Sequence, residues 1–250
     1  MVSDENSVWT QRFRSASGAT SRLVCFPHAG GSASFFFPLS KVMPPSIDLL
    51  AVQYPGRQDR RFEKPVDDIA VLADRIAVAL EADRDDLPMV FFGHSMGATV
   101  AFEVARRLEA RGITLADLVV SGRRGPTAQR QEWVHKLGNT ALVEHVRSLD
   151  GTKAGVLDDP EIVRMVLPVI RNDYKAAETY RYQPGPDVSC PITALLGDHD
   201  PQVTVDEAKE WAAHTKAGFD LHVFEGGHFY LNDHWPEVIE CLRERTASAS

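Results

Sequence analysis

Short apolar runs separated by amphipathic stretches set the plan of this chain. Residues 22–26 (RLVCF), 48–54 (DLLAVQY), 89–92 (MVFF), 118–121 (LVVS), 192–196 (ITALL) and 221–224 (LHVF) read as strands. Each is too short for a helix and closes on Gly, Pro or a polar cluster. Between them lie helical periods. Residues 66–82 carry Ile69, Leu72, Ala73, Ile76 and Leu80 on one stripe, and the helix after residue 97 carries Val100, Val104 and Leu108, with Arg106, Arg107 and Glu109 left for solvent. Residues 204–214 and 236–245 complete the set, the last opened by Pro236. Strands alternating with helices predict a mostly parallel sheet with helices on both faces, an α/β fold.

The alternation breaks after Gly122. Residues 123–187 show helical patterns and no strand. Asp159-Pro160 is a helix start, cap then first-turn proline, and Ile162, Val163, Val166, Leu167, Ile170 and Tyr174 follow at helical spacing. Pro168 should kink or interrupt that helix. A helical insertion between two strands predicts a lid over the strand ends. The first twenty or so residues, polar with scattered Ser, predict a loose arm.

No repeat, low-complexity tract or linker divides the 250 residues, so one domain is expected over 1–250, its core at about 20–122 and 188–246 and its lid at about 123–187. A net charge of −8 excludes the basic field that nonspecific nucleic-acid binding needs. No apolar run reaches membrane-span length and the polar N-terminus lacks a signal-peptide plan, so no membrane partner and a cytoplasmic location are expected. Cys25, Cys190 and Cys241 are odd in number with no C-x-x-C pair, which predicts reduced, packed thiols.

The candidate chemistry sits at the strand ends. Gly93-His94-Ser95-Met96-Gly97 matches G-x-S-x-G between a strand and a helix, the setting of a nucleophile elbow. A serine on so sharp a turn needs neighbours without Cβ atoms, and the helix N-terminus behind it favours a developing oxyanion. The donors of an oxyanion hole would be the N–H of Met96 and that of Ala29, in the small-residue loop Pro27-His28-Ala29-Gly30-Gly31. A serine nucleophile needs a base and an orienting acid, in the chain order Ser, acid, His. Of nine histidines, His228 holds the required position after a strand and two glycines. His222 lies within a strand, His214 and His234 read as surface residues, and His94 as a shaper of the elbow. Two acids compete: Asp198, directly behind the strand and Gly197, should brace the turn, which leaves Asp200 for the histidine. Asp198-His199-Asp200 lacks the spacing of a metal site, and no Walker or dinucleotide motif occurs, so no metal and no cofactor are expected.

Five motifs in order, Cys25–Gly31, Gln53-Tyr54-Pro55-Gly56-Arg57, Gly93–Ala98, Gly197–Asp200 and Gly226–Phe229, together with the Asp173-Tyr174 stretch, resemble type II thioesterases, the stand-alone editing hydrolases of polyketide and nonribosomal peptide synthesis. The resemblance spans nearly the whole chain and shows no departure in the catalytic pattern. It implies an α/β-hydrolase fold and hydrolysis of stalled acyl groups from the phosphopantetheine arm of acyl or peptidyl carrier proteins. It also implies Ser95 as nucleophile, Asp200 as acid, His228 as base, and Met96 and Ala29 as oxyanion donors. The phosphopantetheine arrives with the substrate, and a monomer is expected. Arg57, Arg60, Arg61, Arg123 and Arg124 offer an acidic carrier a docking face or, as net negative charge favours, are simply solvated. A general serine esterase or acyltransferase would use the same three residues, and a non-catalytic carrier-binding module would not need them. A terminal thioesterase domain cut from a synthase is the remaining alternative; the chain's own Met1 and lack of a carrier domain speak for a stand-alone protein.

Overall fold

A computed structural model describes residues 8–149 and 156–248 of the chain. Seven strands form one sheet in the order β1-β3-β2-β4-β5-β6-β7. They are β1 (Thr10–Arg12), β2 (Ser21–Phe26), β3 (Ile47–Val52), β4 (Met89–His94), β5 (Asp117–Ser121), β6 (Ile192–Gly197) and β7 (Phe219–Phe224). All neighbours pair in parallel except β1, which runs antiparallel to β3 with Thr10 opposite Val52.

Side chains alternate across a pleated strand, and that alternation builds two cores. Val24, Phe26, Leu50, Val52, Phe91, Leu118 and Val120 face one way, onto α2 (Ile69–Ala82) and α3 (Met96–Glu109). Leu23, Cys25, Leu49, Ala51, Val90, Phe92 and Val119 face the other, against α7 (Trp235–Ala247) and the short α1 (Phe37–Val42) with its preceding 3₁₀ turn. Neither α1 nor β1 was foreseen in the sequence.

The expectation of a loose N-terminal arm fails from Trp9 onward; residues 1–7 lie outside the described residues. Trp9 is buried beneath the Arg60 guanidinium, 4.1 Å above its ring, and Arg12 Nε donates to Asp48 Oδ1 at 2.8 Å. An indole to bury and a carboxylate to meet suffice to add an edge strand.

Between β5 and β6 the described residues hold no strand. Helices α4 (Asn139–Ser148) and α5 (Pro160–Thr179) dominate the segment, with α6 (Val205–Lys209) following β6. Asp159 caps α5 by accepting from the N–H groups of Glu161 and Ile162. Pro168 does not interrupt α5. Its ring lies on the exposed face, where the carbonyl it deprives of a donor can turn to water, while Leu167 and Ile170 pack on Leu142 of α4.

Parallel strands send all their carboxyl ends to one edge. The loops at residues 27–31, 93–97, 122–124, 198–200 and 225–229 therefore converge.

Candidate active site

Ser95 occupies a turn that only a crowded local sequence could impose. Its φ of 55° and ψ of −120° make it, with Gln58, one of two non-glycine residues at positive φ among the described residues. Its N–H donates to the Ser121 carbonyl at 2.8 Å and its carbonyl accepts from Ala98 at 3.0 Å. The flanking glycines are needed for space. A Cβ on Gly93 would lie 2.4 Å from the Gly97 oxygen. Strain held this firmly, on a helix N-terminus, presents the hydroxyl rather than burying it.

His228 and Asp200 meet that hydroxyl. Nε2 of His228 lies 2.9 Å from Ser95 Oγ and its Nδ1 lies 2.8 Å from Asp200 Oδ2. A carboxylate on Nδ1 fixes the proton there and leaves Nε2 free to accept from the serine. Asp200 is itself held by the Gln202 N–H, 2.7 Å from its Oδ1, and both His228 and Asp200 are buried. Asp198 serves another purpose: its Oδ1 accepts from Gly226 N–H at 2.9 Å and so ties the loop after β6 to the loop carrying His228. The two loops approach so closely that a Cβ on Gly197 would meet the Gly226 oxygen at 2.3 Å.

Two further histidines surround the base without pairing with it. His94 is fully buried, its ring centroid 5.0 Å from that of His228, and burial above all pushes its pKa well down. Its Nδ1 joins a chain through Ser121 Oγ at 2.9 Å to Tyr230 Oη at 2.8 Å. His28 packs edge-on against Phe229 at 4.9 Å, and burial above all, with Arg57 nearby, lowers its pKa to about 3. Both rings are therefore neutral beside Ser95.

A cavity of about 70 Å³ opens on Ser95 and His228. Ala29 and Gly30 form one wall, and Val146, Leu149, Ile170 and Tyr174 of the helical insertion close it from above. Met96 is the first residue of α3, where its N–H has no helical carbonyl behind it. The Ser95 hydroxyl, both candidate oxyanion donors and the His228–Asp200 pair thus gather at the carboxyl edge of the sheet. A larger groove of about 780 Å³ along α3 and the end of α5 includes none of these residues; its Glu103 is already paired with Arg106 and Arg107. Among the described residues no group of three or more His, Cys, Asp or Glu is placed to hold a metal ion.

The expectation that the five arginines are solvated or free for docking holds only for Arg61. Arg57 is buried on Asp173, Arg60 donates to the Gln53 carbonyl and pairs with Glu63, and Arg124 is buried on Glu132. Arg123 donates to Thr99 Oγ1 at 3.0 Å, between α3 and α5. His214, expected at the surface, is buried between Thr127 Oγ1 and Asp187 Oδ1. Ser121 and Tyr230 were missed by sequence reasoning. A serine at a strand's last position, beside the elbow strand, was the available signal.

Comparison with known proteins gives this geometry its family. The thioesterase domain matches residues 21–246. The chain is 47% identical to the thioesterase PikA5 of Streptomyces venezuelae, over 96% of this chain and 86% of that protein. It is 49% identical to a probable cadicidin biosynthesis thioesterase of Streptomyces griseus, over 94% of this chain and 65% of that protein. The solved structure of BorB, a type II thioesterase from the borrelidin biosynthetic cluster, superposes with a TM-score of 0.90 at 51% identity, covering 96% of this chain and 98% of that one. The chain belongs to the thioesterase family, in its type II branch, and its mostly parallel sheet with helices on both faces is the α/β-hydrolase fold. It is an enzyme that cleaves thioesters. No helix among the described residues is long and apolar enough to cross a membrane.

Proposed function

We propose that Ser95, His228 and Asp200 are the catalytic triad of this thioesterase, and that it frees acyl groups stalled on the phosphopantetheine arms of carrier proteins in polyketide or nonribosomal peptide synthesis. The observation that carries the triad is His228 spanning Ser95 Oγ and Asp200 Oδ2 at 2.9 and 2.8 Å. The synthase setting is supported by relatives named for the borrelidin and cadicidin clusters.

In this reading Ser95 Oγ attacks the thioester carbonyl and passes its proton to His228 Nε2. The N–H groups of Met96 and Ala29 hold the oxyanion. The collapsing intermediate expels the pantetheine thiolate, which takes the proton from His228. Water, deprotonated by His228, then attacks the acyl-enzyme, and Ser95 recovers its proton as the acid leaves. Asp200 keeps the imidazole in the tautomer that accepts from serine and stabilises it when charged. The phosphopantetheine is part of the substrate, and the protein supplies only side chains and backbone. The helical insertion acts as a lid, a role supported by Val146, Leu149, Ile170 and Tyr174 over the cavity. Three free, buried cysteines support a reducing, cytoplasmic setting.

The test offers one short acyl group on a carrier protein, on coenzyme A and as an oxygen ester, with Ser95→Ala as control. Preference for the carrier, abolished in the variant, is the expected result. Equal rates on all three donors would remove the carrier-protein role and leave a general esterase. Turnover surviving in Ser95→Ala would mean that the nucleophile lies elsewhere.

A further inference from the structure

The motif Gln53-Tyr54-Pro55-Gly56-Arg57 contributes no atom to the triad, yet it holds the loop opposite Ser95 at three points. Gln53 Oε1 accepts from Ala33 N–H at 2.9 Å, and Tyr54 Oη donates to the Pro27 carbonyl at 3.2 Å. Arg57 pairs with Asp173 of α5, and the same Asp173 oxygen accepts the Gly30 N–H at 2.7 Å. The two ends of the loop are thus fixed by side chains of one motif, and its middle by an ion pair reaching in from the helical insertion. Gln53 also donates to the Arg57 carbonyl at 3.1 Å, which ties the Ala33 contact to the Arg57–Asp173 pair.

Gly30 is where this support matters. His28 C=O accepts from Gly31 N–H at 2.9 Å and Gly30 has φ of 76°, so His28 to Gly31 make a tight turn whose third residue is left-handed. The Ala29–Gly30 peptide at the centre of such a turn can rotate as a unit, because its orientation depends on two soft dihedrals. Asp173 removes that freedom by taking the peptide's N–H. Ile170, one helical turn before it, sets the distance: a Cβ on Gly30 would lie 2.7 Å from Ile170 Cγ1. The oxyanion donor, Ala29 N–H, belongs to the neighbouring peptide of the same turn.

We propose that Asp173, backed by Arg57, is a positioning residue for the oxyanion turn, so that the turn is competent only while α5 is seated on it. The inference rests on the role assigned above to Ala29. It makes the insertion part of the catalytic apparatus: displacing α5 withdraws the acceptor from Gly30 and releases the donor peptide beside it.

Two double variants separate positioning from mere stability. Asp173→Leu with Arg57→Met removes both charges and the acceptor, in nearly the original shapes. Asp173→Asn with Arg57→Met removes both charges but keeps an oxygen for Gly30 N–H. Replacing a buried ion pair with matched apolar groups need not unfold a protein. The Leu variant is expected to lose about 10- to 100-fold in kcat, below the full loss of a donor, with KM little changed. Its affinity for a trifluoromethyl ketone analogue, which forms an oxyanion on Ser95, should fall in parallel. The Asn variant should recover kcat to within about threefold of the parent, since the acceptor is the group that counts. Equal kcat and equal analogue affinity in the two doubles would overturn the proposal. Should either double fail to fold, amide exchange in the parent protein decides. Gly30 N–H is expected to exchange more than about 100-fold slower than a free amide, and exchange at the free rate would overturn the anchoring. A parent enzyme without thioesterase turnover would instead remove the functional reading, and the exchange measurement would still judge the Asp173 contact.

Discussion

Gly97 faces the Phe26 carbonyl so closely that a Cβ built on it would lie 2.1 Å from that oxygen. The atom in the way is backbone of a central strand, which cannot swing aside as a side chain would. The first turn of α3 is thereby pressed against the end of β2, and Ser95 directly precedes that turn. Gly97→Ala must push the two apart. A loss of about 1–3 kcal/mol is expected, as for other overpacked sites, with kcat falling because the displaced turn carries the serine. Thermal unfolding and turnover on one acyl thioester check both, and wild-type values in both would show that the turn has slack.

The two acids behind β6 should separate cleanly on mutation. Asp200→Asn presents Nδ1 of His228 with an amide that favours the wrong tautomer, and kcat is expected to fall about 10³- to 10⁴-fold. Asp198→Asn keeps an oxygen for Gly226 N–H and touches neither His228 nor Ser95, so kcat should stay within about tenfold, by the usual distinction between bracing a loop and reacting. Steady-state kinetics of the two variants on one substrate decide the assignment. A larger loss at Asp198 would reverse it.

What was legible in the sequence was whatever local crowding dictates. Gly93 and Gly97 are readable as an elbow because no other residue fits there, and the strand alternation of Val24 against Cys25 is readable because a pleat has period two. Long-range polar pairing was not legible. Arg57 reads as a surface cation until its partner is seen, and Asp173 lies 116 residues away. His214 sits between Thr127 and Asp187, and Trp9 beneath Arg60, for the same reason. A charge or a ring declares itself buried only through a neighbour that the fold brings to it. That Asp200 would face His228 and Asp198 would tie the turn could be anticipated, because Asp198 adjoins the strand, where bracing the turn is the nearer task.

Ser121 Oγ links two buried groups, His94 Nδ1 at 2.9 Å and Tyr230 Oη at 2.8 Å. Its carbonyl holds Ser95 N–H, but that contact is backbone and survives mutation. Ser121→Ala should therefore cost stability of about 1–3 kcal/mol, the usual penalty for stranding a buried donor or acceptor, while kcat changes less than about tenfold. Denaturant unfolding alongside kinetics separates the two effects. A collapse in kcat with stability intact would place the Tyr230–Ser121–His94 chain in the chemistry instead.

Asp117, at the start of β5, gives the fold a pH dependence with a definite sign. Its carboxylate is buried, with Thr193 Oγ1 donating to Oδ1 at 3.4 Å and Arg245 Nη1 in a looser ion pair with Oδ2 at 3.7 Å. Burial outweighs Arg245 and raises its pKa from 3.8 to about 6. A folded value above the unfolded one means that the native chain keeps a proton which the unfolded chain has already released. Stability contributed by this group is therefore full below about pH 4, declines as pH rises through about 6, and stays at the lower level beyond. The penalty at neutral pH is about 3 kcal/mol, order of magnitude, at about 1.4 kcal/mol per tenfold change in acidity. Asp117→Asn removes the charge and keeps an acceptor for Thr193, and Arg245 retains Asp220 at 2.7 Å. The variant should be more stable than the parent at pH 7.5, by up to that amount. Its advantage should shrink as pH falls below 6 and vanish near 4. Denaturant unfolding of both proteins across pH 4–8 gives the curve, and an advantage that is absent, or unchanging with pH, would show that burial does not govern this carboxyl.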